Sequence, residues 1–109
     1  MDSTKPFMLV RARIKSDEDG SFGAWFRSVH LKDVARIPGV VDVDFGTTHA
    51  GTWLGIYSFG DASAAQQALS SPEAAYARGT WDQWAGELEE LQVEIMSPLA
   101  PLSLYQSRC

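Results

Sequence analysis

The run FRSVHLKDVARIPGVVDVDFG, residues 26–46, contains the end of a helix, a stop signal and a strand. Its first part continues a pattern of apolar residues at three- and four-residue steps, which is typical of one face of a helix. Pro38 and Gly39 form a strong signal for the end of that helix. Beyond them apolar residues alternate with Asp42 and Asp44, which predicts a strand. The apolar positions of the predicted helix are Phe22, Trp25, Phe26, Val29, Val34 and Ile37.

Three more strands and a second helical region surround this helix–strand unit. The alternating pattern predicts strands in FMLVRARI (7–14), TWLGIYSF (52–59) and LQVEIM (91–96). The turn-rich loop GTTHAG (46–51) joins the second and third strands in a hairpin.

The second helical region contains three start signals. Asp61 is a candidate N-cap, Ser71 precedes a proline at the first helical position, and Thr80 with Gln83 fits a capping box. The element order is β-α-β-β-α-β, the split βαβ arrangement. Right-handed crossovers place both helical regions on one face of a four-stranded antiparallel sheet, so the predicted class is α+β, ferredoxin-like.

Size and charge exclude several classes of protein. The 109 residues suit one domain, with a core at about 6–97 and a C-terminal tail at 98–109. A net charge of −5 without clustered Lys and Arg argues against nucleic acid and anionic membranes as partners. No apolar run is long enough for a signal peptide core or a membrane span, so we expect a cytoplasmic protein.

Cofactor and metal motifs are also missing. Cys109, the single cysteine, leaves no internal disulfide and no thiolate cluster. No glycine-rich phosphate loop, Ser-His-Asp signature or HExxH spacing occurs, so we expect no cofactor and no metal.

The sheet face opposite the helices has no cover of its own in this arrangement. Depending on register, that face carries either Met8 and Val10 or the set Phe7, Leu9, Trp53 and Tyr57. Exposed apolar patches usually mark protein interfaces, so we expect a homodimer that pairs two sheets. The apolar tail, residues 98–109, either lies across the partner subunit or is a frayed terminus.

The helix WFRSVHLKDVARIPG (25–39) has an early tryptophan, a late histidine and a terminal Ile-Pro-Gly before an acidic alternating strand. With YSF (57–59) leading into Asp61, an alanine-rich helix and Ser71-Pro72-Glu73, this pattern resembles the dimeric α+β barrel superfamily, and most of all its EthD-like branch. The resemblance spans Phe7 to Pro98. It implies a homodimer whose sheets close into an eight-stranded barrel, with a small-molecule cavity between sheet and helices. Members include cofactor-independent monooxygenases, cyclases, lactone isomerases, decarboxylases and haem-handling proteins.

The candidate catalytic residues are His30 and Asp33. Both fall on or beside the apolar stripe of the helix, and side chains three residues apart on a helix can meet. Such a pair can set the imidazole tautomer for proton transfer, and the resemblance implies an acid–base histidine near His30. The alternative is structural: His30 satisfies a buried hydrogen bond, and Asp33 pairs with Arg36 or Arg13.

His49 is a third candidate, in the hairpin loop. It is either a residue of a surface turn or a second general acid, which requires the loop to fold over the mouth of a cavity. His30, His49 and Asp33 together make a two-histidine, one-carboxylate set, but no spacing in the sequence brings His49 to the helix.

The aromatic residues are candidates for ligand binding. Four tryptophans in so short a chain suit a pocket for a small apolar or aromatic metabolite, although tryptophans at helical spacing also build cores. Trp53 and Tyr57 lie on one face of the third strand and, as an alternative to lining a pocket, serve the dimer interface. The candidate ligand-binding residues are Trp25, Phe26, Tyr57, Tyr76, Trp81 and Trp84.

Two functions follow. The first is a cofactor-independent enzyme, of cyclase, isomerase or monooxygenase type, that acts on a small apolar molecule with His30 as acid or base and Asp33 orienting it. The second is a non-catalytic ligand-binding or stress-related homodimer that uses the same cavity.

Overall fold

A computed structural model describes residues 5–97 and contains one four-stranded antiparallel sheet. The strand order is β2-β3-β1-β4, so the first and last strands are neighbours and β2 and β4 form the edges. This confirms the predicted α+β, ferredoxin-like class. The strands are β1 (Phe7–Ile14), β2 (Val40–Thr47), β3 (Trp53–Phe59) and β4 (Leu88–Met96).

The first helical segment has three parts rather than the single regular helix that the sequence pattern predicts. α1 (Ser21–Trp25) leads into a π-helical turn (Phe26–His30), which is followed by α2 (Leu31–Ala35). At the end of the turn the Leu31 N–H donates to the Phe26 carbonyl, five residues back. Single π-helical turns within a helix frequently occur at functional sites.

The second helical region contains α3 (Ala62–Leu69), α4 (Pro72–Gly79) and a 3₁₀ turn (Thr80–Trp84). The first two predicted N-caps are confirmed: the Asp61 carboxylate accepts from the Ala64 N–H at 2.7 Å, and the Ser71 hydroxyl accepts from the Ala74 N–H at 3.1 Å. The predicted capping box at Thr80 is wrong. Because α4 runs directly into the 3₁₀ turn, Thr80 is its first residue rather than its N-cap, and the Thr80 hydroxyl donates to the Ala77 carbonyl.

The helices cover one face of the sheet, and the register decides which residues lie there. β1 places Met8 opposite Tyr57 and Ala12 opposite Trp53. Directly opposed residues point to the same face, and Ala12 and Tyr57 are both buried in the core beneath the helices. Trp53 and Tyr57 therefore do not lie on the bare face, and the hypothesis that they serve a dimer interface is wrong.

The bare face of the sheet carries the alternate residues of β1 and β3. Phe7 and Leu9 lie there, opposite Ser58 and Ile56. Both are half-buried within the chain. The alternative that places Met8 and Val10 on the bare face is wrong, because both lie on the helical face with Tyr57. The other alternative is right for Phe7 and Leu9 and wrong for Trp53 and Tyr57.

None of the helices in residues 5–97 combines the length and the apolar character needed to cross a bilayer.

Candidate functional site

A cavity of about 380 Å³ lies between the sheet and the helices. Its walls are almost entirely apolar, and small alanine side chains on α3 and α4 leave the space that larger residues would fill. Its exposed lining residues mark its open side, beside the edge strand β4. Sheet residues lining the cavity are Met8, Val10, Val40, Tyr57, Phe59, Leu91 and Val93; helical and turn residues are Val34, Ile37, Ala68, Leu69, Ala74, Ala77, Arg78, Trp81 and Asp82.

One buried polar pair stands at the wall of this cavity. The Tyr57 hydroxyl lies 2.7 Å from Nε2 of His30, and the two residues are only 2% and 3% exposed. Tyr57 lines the cavity from β3, whereas His30 ends the π-helical turn and lies behind the phenol. The pair therefore joins the helical layer to the sheet at the cavity wall.

Burial keeps both members of the pair neutral. Loss of hydration lowers the pKa of His30 to about 4, and the same cause raises the pKa of Tyr57 far above its usual range. The short hydrogen bond has two forms: either the phenol donates to Nε2, or an Nε2–H donates to the phenol oxygen and leaves the hydroxyl hydrogen for a ligand. In both forms Nδ1 of His30 has no hydrogen-bond partner among the described residues.

Aromatic rings hold the imidazole on several sides. Trp25 stacks on it, with ring centroids 5.4 Å apart and planes at 29°. Trp81 meets it edge-on, with centroids 5.0 Å apart and planes at 73°. Phe26 packs at 5.0 Å. These contacts restrict the ring orientation, which otherwise only the bond to Tyr57 would control.

Gly55 makes room for the phenol. A Cβ atom added at Gly55 would collide with the Tyr57 hydroxyl and would lie 2.6 Å from the carbon that bears it. Because residues 55 and 57 lie on the same face of β3, the phenol ring lies along the strand over the glycine. Sequence reasoning missed Gly55, although a glycine inside a strand often marks a close approach of this kind.

Asp33 is not the partner of His30. Its carboxylate lies 3.6 Å from the Arg36 guanidinium, one turn along α2, so the structural alternative of an Asp33–Arg36 pair is confirmed. The imidazole instead uses Nε2 on Tyr57. The predicted orienting contact is wrong because the residue that meets the imidazole comes from the sheet, 27 positions away in sequence.

His49 lies apart from the cavity. It is exposed in the β2–β3 loop and lines a separate polar groove with Arg13 and Lys15. Within residues 5–97, no three side chains of His, Cys, Asp or Glu converge as metal ligands, so His30, His49 and Asp33 do not form the two-histidine, one-carboxylate arrangement.

The predicted ligand-binding residues fall into three groups. Tyr57 and Trp81 line the cavity. Trp25, Phe26 and Trp84 are buried in the adjacent aromatic core. Tyr76 is 65% exposed on α4 and borders a shallow groove with Asp33 and Arg36, because the helix turns its buried alanines, Ala74 and Ala77, toward the cavity.

Comparisons with known proteins show the fold. No family model and no curated protein matches the sequence. Among solved structures, an EthD-family protein from Bacillus halodurans is similar at 18% identity, with a TM-score of 0.65, 86% of this chain covered and 99% of that one. The chain shares the ferredoxin-like α+β fold of this protein.

Two further structures with a similar fold are enzymes by name. An antibiotic biosynthesis monooxygenase is 11% identical, with a TM-score of 0.62 over 86% of this chain and 98% of that one. A variant of SnoaB, a cofactor-independent oxygenase from Streptomyces nogalater, is 14% identical, with a TM-score of 0.61 over 86% and 93%. Identities this low establish a shared fold only, so the chemistry has to be argued from the site of this chain.

Proposed function

We propose that the protein is a cofactor-independent enzyme that binds a small, mostly apolar, cyclic or aromatic molecule in the cavity. The observation that carries the proposal is the buried Tyr57–His30 pair at the wall of a mostly apolar space of about 380 Å³. A pocket with few polar groups fixes the orientation of a ligand through those groups. A cofactor-independent oxygenase has a similar fold, so this fold accommodates the proposed class of chemistry in another protein.

The pair suits reactions that pass through an enolate or phenolate. With Nε2–H donating to the phenol oxygen, the Tyr57 hydroxyl donates to a ligand carbonyl and stabilises the oxyanion that forms there. In the other form, the hydroxyl oxygen accepts a ligand proton while its own proton passes to Nε2 of His30. Because the pKa of His30 is about 4, the imidazolium does not persist at neutral pH and the proton is returned in the same turnover. Isomerisation, cyclisation and attack of O₂ on a substrate anion are all reactions that can pass through an enolate or phenolate.

We further propose that the protein acts as a homodimer. Phe7 and Leu9 lie on a sheet face that none of the helices within residues 5–97 covers. Removal of such an apolar surface from water stabilises the assembly that covers it. A second copy with the same face supplies a cover of matching shape, and closure of two sheets into a barrel also protects the strand edges.

Exchange of α-hydrogens in 2-tetralone, a cyclic ketone of suitable size, tests the enzyme proposal. We expect the protein to accelerate replacement of these hydrogens by deuterium, followed by proton NMR in D₂O. Tyr57→Phe and His30→Gln should each lower the rate by about 100-fold, the usual contribution of a positioned acid or base. Tyr76→Phe, which alters an exposed phenol outside the cavity, is the matched control and should leave the rate unchanged.

The alternative, a non-catalytic ligand-binding or stress-related homodimer, predicts a different result. Tetralone would then shift the NMR signals of Trp81 and Met8 without any acceleration of exchange. Absence of both binding and exchange would contradict the assignment of the cavity as a ligand site.

A further inference from the structure

A second, shallow groove of about 250 Å³ lies beside α2 and α4 and shares no residue with the cavity. Each helix divides its side chains between the two spaces. On α2, Val34 lines the cavity and Asp33 lines the groove; on α4, Ala77 lines the cavity and Glu73 lines the groove. The groove is therefore a separate feature of the surface, independent of the proposed function. Its lining residues are Asp33, Arg36, Pro72, Glu73 and Tyr76.

The carboxylate of Asp33 is the unusual group in this groove. Asp33 is only 7% exposed, although aspartates are almost never fully buried unless they are paired. Its oxygen Oδ2 is buried and accepts no hydrogen bond from residues 5–97. The other oxygen, Oδ1, lies 3.6 Å from Nη1 of Arg36, which is longer than a hydrogen bond. Among the described residues, the carboxylate thus has one loose ion pair and no donor for Oδ2.

Arg36 balances this charge only in part. Its side chain is 72% exposed, so water screens the attraction between the guanidinium and the carboxylate. Ion pairs with exposed partners contribute little free energy, whereas a buried carboxylate oxygen without a donor is costly. Asp33 therefore favours an additional N–H donor that also carries positive charge.

The first turn of α4 supplies further contacts for a cation. Glu73 adds a second, exposed carboxylate, so the acidic side chains in the groove outnumber the arginine. Tyr76 presents an exposed phenol ring, and the faces of aromatic rings attract cations. Pro72 adds apolar surface for a short alkyl chain.

The donor set and the size of the groove narrow the class of cation. Within residues 5–97 no three acidic, histidine or cysteine side chains converge, whereas metal ions in proteins take more ligands than Asp33 and Glu73 supply. An alkylammonium group has three N–H donors on one nitrogen. A volume of about 250 Å³ is below the usual range for pockets that bind drug-sized ligands, so the ligand is small.

We propose that the groove binds a primary alkylammonium group. The ammonium donates to the carboxylates of Asp33 and Glu73, and its alkyl chain packs on Pro72 and on the ring of Tyr76. The exposed side chain of Arg36 moves into water to admit the ligand. The net charge of −5 adds a long-range attraction for a cation.

Titration of the full-length, ¹⁵N-labelled protein with n-butylammonium tests the proposal. We expect saturable shifts of the amide signals of Asp33, Arg36, Glu73 and Tyr76 at millimolar amine. Because the groove is open to water, the affinity should fall as salt is added. Absence of saturable shifts at these residues would overturn the proposal and leave water as the donor to Oδ2.

Two further probes separate charge from hydrogen bonding. 1-Butanol has the same alkyl chain without the charge, and tetramethylammonium has the charge without an N–H donor. Each should bind at least about tenfold more weakly than n-butylammonium, because hydrogen bonds to charged groups are the stronger ones. Equal binding of tetramethylammonium would contradict the role of Oδ2 as an acceptor.

Paired variants test the carboxylate at constant net charge. Asp33→Asn should weaken n-butylammonium binding about tenfold or more. Glu87→Gln, which removes an exposed carboxylate outside the groove, is the matched control and should keep the native affinity. Equal affinities of the two variants would contradict contact with Asp33.

Arg36→Gln gives an independent test, because it changes an exposed side chain and leaves Asp33 in place. The ligand no longer competes with the guanidinium, so n-butylammonium should bind about threefold more tightly, within the small effect of an exposed ion pair. Weaker binding in Arg36→Gln would contradict competition between the ligand and Arg36 for Asp33.

A free amine and the lysine side chain of another protein share the alkylammonium group. Nα-acetyl-lysine methylamide separates these sources, because it carries the ammonium on a lysine side chain with both backbone amides. Tighter binding of n-butylammonium would assign the groove to free amines, and tighter binding of the lysine derivative would assign it to lysine side chains. Failure of both to bind would overturn the ammonium site, and because tetralone exchange does not enter this readout, it would leave the proposed function intact.

Discussion

At the scale of single residues, the buried imidazole of His30 is the feature that links stability to pH. Its pKa is about 4 in the folded chain, against 6.5 for an ordinary histidine, because burial removes water from the charged form. Between these values the unfolded chain binds more protons than the folded one. The free energy of unfolding therefore falls as the pH falls through this window and is unaffected by His30 above it.

The first prediction follows from this difference. Between pH 7 and pH 5, we expect His30 to lower the free energy of unfolding by about 2 kcal/mol. Urea unfolding at the two pH values, for the native protein and for His30→Gln, measures the contribution as the difference between their pH dependences. Ser63→Ala, an exposed change that removes no titratable group, is the control and should keep the native dependence. An unchanged dependence in His30→Gln would show that the imidazole is accessible to water.

The second prediction concerns Gly55. Gly55→Ala places a methyl group where the Tyr57 phenol lies, so the ring moves and its bond to His30 is lost. We expect a loss of about 1–3 kcal/mol in stability, the usual range for overpacking, together with a changed ¹⁵N shift of the His30 ring nitrogens. The control is Gly46→Ala on the neighbouring strand, where an added Cβ meets no atom within 4 Å. Native ring shifts in Gly55→Ala would refute the positioning role of this glycine.

At the scale of elements, the starts of α3 and α4 are specified by neighbouring residues, whereas the π-helical turn is not specified in this way. Asp61 and Ser71 each satisfy an N–H of the first turn of their own helix, so a few neighbouring residues are sufficient to specify the start. The π-helical turn changes the angular position of every residue after it, and His30 stands at its end. A regular helix drawn from Phe22 and Phe26 therefore misplaces the residues after the turn relative to those before it.

The third prediction tests the local cap. Asp61→Ala should lower the free energy of unfolding by about 1 kcal/mol, because the Ala64 N–H loses its acceptor. Ser63→Ala, an exposed change in the first turn of the same helix, should alter stability by only a few tenths of a kcal/mol. Thermal unfolding at pH 7 compares the two, and equal effects would contradict the cap.

At the scale of the whole molecule, the bare face of the sheet determines the expected assembly. The fourth prediction is that Leu9→Asp converts a dimer into a monomer, because it places a carboxylate in the apolar surface between the two sheets. Size-exclusion chromatography with light scattering measures the mass, and circular dichroism checks that the variant folds. Tyr76→Asp, on the exposed side of α4, is the control and should remain dimeric. A monomeric native protein would contradict the homodimer.

The fold was largely predictable because its signals are local. Each signal acts within a few positions of the chain. Examples are the alternating residues in β1 and β3, the stop at Pro38 and Gly39, and the cap at Asp61. Together they determine the element order, and right-handed crossovers then leave one sheet with its helices on one face. The candidate histidine was also predictable, as an ionisable residue beside an apolar stripe.

Only the tertiary structure decided what His30 contacts. Helical spacing proposes Asp33 as its neighbour, but strand register brings Tyr57 to the imidazole across 27 positions of sequence, over a glycine that makes room for the phenol. The same register decides that Phe7 and Leu9, and not Tyr57, lie on the bare face. The physical reason is that a one-residue shift in pairing exchanges the two faces of a strand, so burial and hydrogen bonding in a sheet depend on distant partners that no local pattern specifies.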